Sequence, residues 1–84
     1  METETYKFNP DDFAGMLGIK EDLTGFYEAR EKYLCNKTTE NKFVFLGCAE
    51  SLFFSIKHRA LEGFITQTEA FELREHMEGL LNDV

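Results

Sequence analysis

The sequence predicts an all-α fold. Apolar residues recur at steps of three and four, capping residues stand where those runs begin, and no second strand pairs with the one short alternating segment. The predicted arrangement is a small four-helix one. A short N-terminal helix precedes three longer helices, and the central helix, over 43–61, forms an antiparallel hairpin with the last. With 84 residues, one proline and no Ser/Gly/Pro-rich linker, residues 1–84 are expected to form a single helical domain.

Thr3 to Phe8 alternates as a strand would, but a lone strand has nothing to pair with, so an extended arm is expected. Asn9-Pro10-Asp11-Asp12 reads as a helix start: Asn9 caps, Pro10 takes the first helical position and two acids face the positive end of the dipole. Gly15 and Gly18 keep this helix short, and Gly18 is expected to stop it after Leu17. From Lys20 to Cys35, Leu23, Phe26, Tyr27, Tyr33 and Leu34 follow helical spacing, with Arg30 in the slot where an apolar residue is missing. Asn36 to Thr39 reads as a polar connection.

In the central helix Phe45, Ala49, Leu52, Phe53, Ile56 and Ala60 form one stripe, while Phe43, Leu46, Phe54 and Leu61 lie off it. That helix therefore carries apolar groups on more than one side. Lys57-His58-Arg59 meets the negative end of its dipole. Glu62-Gly63-Phe64-Ile65 breaks the pattern, and Thr66-Gln67-Thr68-Glu69 is a capping box. Ala70, Leu73, Met77, Leu80 and Val84 then form a narrow seam that Leu81 broadens, with Glu72, Glu75 and Asp83 on the far side.

Sixteen acidic against nine basic residues give a net charge of −7, which opposes nonspecific binding to phosphate backbones and anionic membranes and favours a basic partner. A surplus of this size also serves solubility. No apolar run is long enough to span a bilayer, and Met1 to Asn9 lacks the basic and apolar regions of a signal peptide, so a cytoplasmic protein is expected. The acceptor pattern at Asn36-Lys37-Thr38 has no consequence without secretion.

Cys35 and Cys48, with His58 and His76, offer four metal-ligand types but no close pair, so no metal site and no cofactor are expected. Cys48 and His58 lie ten positions apart on one helix, about 15 Å at 1.5 Å per residue, too far for a nucleophile and its base. There is no Gly-rich phosphate loop and no Ser/His/Asp order. The sequence therefore reads as non-enzymatic. Nine Phe and three Tyr are a heavy aromatic load for a domain that buries only about 60% of its unfolded-chain surface. Phe53 and Phe54, about 100° apart on a helix, need cover on two sides or a partner, either a second copy or another protein.

Two local resemblances follow from these residues. Gly63 to Glu69 resembles the glycine, isoleucine, threonine, glutamate turn of short helical hairpins, including the SHOCT type, which implies a tight connection between the last two helices. Phe13-Ala14-Gly15-Met16-Leu17-Gly18-Ile19 with the helix from Lys20 resembles the first part of a helix-turn-helix module, with Ala14 at the helix contact and Gly18 in the turn. That resemblance implies DNA reading by the second helix. Its exposed face, however, carries Glu21, Asp22 and Glu28 against Lys20 and Arg30.

The leading functional expectation is a small acidic protein–protein interaction module, a regulator or inhibitor that binds a basic partner surface through Phe54, Glu72, Glu75 and Asp83. The alternative is a degenerate helix-turn-helix regulator acting as a dimer, with Lys20 and Arg30 as its DNA contacts. Nucleic acid is disfavoured by the charge balance, and no membrane association is expected.

Overall fold

The computed structural model describes residues 6–16 and 18–83. The described residues form three α-helices: α1, Ile19–Cys35; α2, Thr39–Leu61; and α3, Gln67–Asn82. No strand occurs among the described residues. The radius of gyration, 12.5 Å, is close to the roughly 12 Å of a compact domain of this length.

The expected N-terminal helix is instead a single 3-10 turn, Pro10–Phe13. Asn9 caps it as expected, its side chain accepting from the Asp11 amide at 3.0 Å. The chain then continues in three-residue steps, with the Met16 amide donating to the Phe13 carbonyl at 2.9 Å and Ile19 to Met16 at 3.2 Å. So short a run ends before propagation can offset the cost of nucleation. Gly18 closes the turn at φ +93°, a conformation that favours glycine, and serves as the N-cap of α1. The expected four-helix arrangement thus reduces to three helices and a turn. Leu17, Val84 and the Thr3–Thr5 part of the expected arm lie outside the described residues.

Helix α2 starts four residues before Phe43, because Thr38 is a cap and not a linker residue. Its hydroxyl accepts from the Asn41 amide at 3.0 Å, and the Asn41 side-chain amide donates to the Asn36 carbonyl at 2.8 Å. At the far end the Phe64 amide donates to the Arg59 carbonyl and Gly63, at φ +86°, to Ala60, the paired bonds of a Schellman motif. The capping box of α3 forms as expected. Glu69 donates its amide to the Thr66 hydroxyl at 3.0 Å and accepts from the Thr66 amide at 2.9 Å.

The core lies where α1 and α3 meet the inner stripe of α2. Phe26 of α1 stacks on Phe45 of α2, ring centroids 5.2 Å apart, and Leu52, Ile56, Leu73 and Met77 are fully enclosed. Ser55 of α2 donates its hydroxyl to Asp22 of α1 beside the Gly18 turn. Among the described residues no helix is long and apolar enough to cross a membrane.

Candidate functional site

Burial on α2 divides its two apolar sets. The expected stripe is the inner one, with Phe45, Ala49, Leu52 and Ile56 buried and Phe53 and Ala60 half-buried. The off-stripe set is open to solvent: Phe43 is 70%, Leu46 39%, Phe54 63% and Leu61 75% exposed. Alongside it runs a groove between α2 and α3. One hollow, of about 620 Å³, is lined by Glu50, Phe53, Phe54, Lys57, Arg74 and Glu78. Its continuation, of about 270 Å³, reaches Ala60, Leu61, Ala70 and Phe71. Arg74 lies over the Phe53 ring, 5.9 Å from its centroid, so the groove floor is aromatic and its middle cationic.

The four expected partner residues do not share one face. Phe54 is in the groove, its ring 4.2 Å from that of His58. Glu72 and Glu75 are exposed on α3, and Glu72 lies about 160° around that helix from Arg74 at 100° per residue. Asp83 turns toward α1, where its carboxylate meets Arg30 at 3.4 Å.

Both expected DNA contacts are engaged elsewhere. Lys20 pairs with Asp11 at 3.4 Å. Arg30 was expected on the exposed face of its helix but is only 4% exposed, which corrects that placement. The helical slot it fills points inward, so its stem packs as an apolar residue would. Asp22 also leaves that face to hold Ser55, whereas Glu21 and Glu28 remain exposed.

A polar-aromatic cluster joins the N-terminal arm to α1 and α3. Tyr6 stacks on Tyr27 with centroids 4.0 Å apart and donates its hydroxyl to Glu31, and the Arg30 guanidinium sits 5.7 Å from the Tyr6 ring centroid. Tyr27 donates to the Phe8 carbonyl at 2.8 Å, and its hydroxyl lies 3.2 Å from His76 Nε2. Burial pushes both tyrosine hydroxyls above their ordinary value, with the hydrogen bond to Glu31 adding to the rise at Tyr6.

Burial, then the charges of Lys7 and Arg30, hold His76 below its ordinary 6.5. Its share of the stability is therefore complete above pH 6.5 and is lost as pH falls through the depressed folded value. Denaturant titrations should show a fall in stability below that pH, with the slope reduced in His76→Gln. An NMR titration placing the His76 midpoint above 6.5 would contradict this assignment.

Burial, followed by the charge of Asp22, raises the Cys48 thiol, which is thereby kept protonated and poorly nucleophilic. Among the described residues no three His, Cys, Asp or Glu side chains converge as metal ligands would. Two features were missed at the sequence level. The cations Lys57 and Arg74 face the groove, and Tyr27 meets His76 across the core, a contact between residues far apart in the chain that no local pattern encodes. No protein-family model, no curated protein and no solved structure matches this chain.

Proposed function

We propose that this chain is a small non-enzymatic protein-interaction module, a regulator or inhibitor that offers acidic faces to a basic partner. One observation supports this reading above others: Glu21, Glu28, Glu72 and Glu75 are exposed, and no ion pair among the described residues engages them. A carboxylate free of internal partners keeps its full charge for steering and pairing with a cationic surface. In this reading α2 and α3 form the antiparallel hairpin, which holds the α3 acids on a rigid support, and the protein works in the cytoplasm.

The test is affinity purification with the intact chain and with the Glu72→Gln/Glu75→Gln variant. Recovery of a stoichiometric basic partner, lost with the variant and weakened by salt, is the expected result. Repeated recovery of no stoichiometric partner overturns the reading. Duplex DNA binding at low salt that disappears in Lys20→Ala would replace it with the helix-turn-helix alternative.

A further inference from the structure

The outer surface of α2 is a second helical seam. Phe43, Leu46, Glu50, Phe54, Lys57 and Leu61 follow one another at steps of three and four, the spacing that keeps residues on one side of a helix. The seam runs about 27 Å at 1.5 Å per residue. Among the described residues the seam is left open to solvent: Phe43, Phe54 and Leu61 are among the most exposed apolar side chains.

Two pairs of residues along this seam share one midpoint, one pair alike and the other opposite in charge. Glu50 and Lys57 stand equally far on either side of the midpoint between Phe53 and Phe54, and so do Leu46 and Leu61. An unrelated ligand has no need of such symmetry, whereas a two-fold interface requires the same patch on both partners to be self-complementary. We propose that a second copy of this chain packs on this seam, its α2 antiparallel to the first about a two-fold axis passing between Phe53 and Phe54.

In that register each Glu50 faces the partner's Lys57, each Leu46 faces the partner's Leu61, and the phenylalanines meet at the axis. Glu78 lines the same hollow as Glu50, which gives the arriving lysine a second acceptor. Arg74 is already laid over Phe53 and caps the flank of the aromatic centre. The association buries the aromatic excess that one chain leaves in water. It leaves Glu72 and Glu75 outside the seam, so it goes beyond the proposed acidic-face role and does not depend on it.

Charge exchange provides the test, read by sedimentation equilibrium of the full chain at about 0.15 M salt. Glu50→Lys sets lysine against the partner's Lys57, and Lys57→Glu sets glutamate against the partner's Glu50; each should weaken the dimer at least about tenfold. Net charge alone predicts opposite effects, since the first change lowers the overall repulsion and the second raises it.

The double variant Glu50→Lys/Lys57→Glu should recover the wild-type dimer, and mixing the two single variants should give a one-to-one heterodimer. Within one helix the two positions are about 10 Å apart along the axis, so rescue inside a single chain does not account for the mixing result. Circular dichroism confirms that each variant is folded. A wild-type chain that stays monomeric at several hundred micromolar overturns the proposal, as does a double variant that stays as weak as the singles. Loss of dimerisation leaves the basic-partner purification unaffected, so the two proposals fail separately.

Discussion

Replacing Phe26 with alanine will lower the unfolding free energy by about 3–5 kcal/mol, the usual cost of deleting a buried aromatic ring. Phe26 is fully enclosed, stacks on Phe45 and borders Tyr27, so its loss empties the contact between α1 and α2. At roughly 0.05–0.15 kcal/mol per residue a chain of this length has only about 4–13 kcal/mol to lose. The variant will be marginal or unfolded at 37 °C. Urea denaturation checks the result against Phe64→Ala, an exposed ring in the turn after α2 for which a loss under about 1 kcal/mol is expected. Equal losses in the two variants would move the core away from the α1–α2 contact.

Replacing Arg30 with glutamate will cost about 3–5 kcal/mol, because it buries a charge with no opposite partner. The new carboxylate would face Glu31 and Asp83, the two acids that the guanidinium now meets at 3.9 and 3.4 Å. Arg30→Met is the informative companion. It keeps an unbranched stem in the inward slot and removes a guanidinium whose Nε has no hydrogen-bond partner among the described residues, so its cost should stay below about 1.5 kcal/mol. If methionine proves as damaging as glutamate, the charge itself holds the arm and α3 in place, and the packing account of Arg30 is wrong.

Arg30 also marks the limit of what the sequence discloses. Its position in the helical series pointed inward and its charge pointed outward, and the conflict is resolved by Asp83 and Tyr6, which arrive from opposite ends of the chain to join the neighbouring Glu31 around the guanidinium. The inner stripe of α2, the Gly63 turn and the Thr66 capping box were legible because each depends on neighbours within a few residues. The start of α2 was not. Its first turn is polar and exposed, so apolar periodicity begins only at Phe43, and the cap at Thr38 carries the signal. The N-terminal helix stops short for a related reason: Asn9 and Pro10 begin a helix well, but Phe13 and Met16 are only partly buried and no residue of the Pro10–Phe13 turn is fully enclosed to sustain one.

For the candidate site, exposure at Phe54 was foreseeable from its angle to Phe53, and the separation of Asp83 from Glu72 and Glu75 was not. Residues on one helix share a sequence pattern, but which flank faces which neighbour is decided by tertiary contacts.

Because Tyr6 and Asp83 both meet Arg30, the two ends of the described chain converge on a single guanidinium. Chain connectivity can therefore be rearranged without moving the helices. A short flexible linker from the last turn of α3 to the arm, with new termini opened at the exposed Asn36–Lys37 link, preserves the helix contacts and cuts only the loop between α1 and α2. In such a circular permutant the arm is tethered on both sides. The contact of Phe8 with His76 of α3 becomes a short-range closure, whereas the separation of Tyr6 from Tyr27 is unchanged.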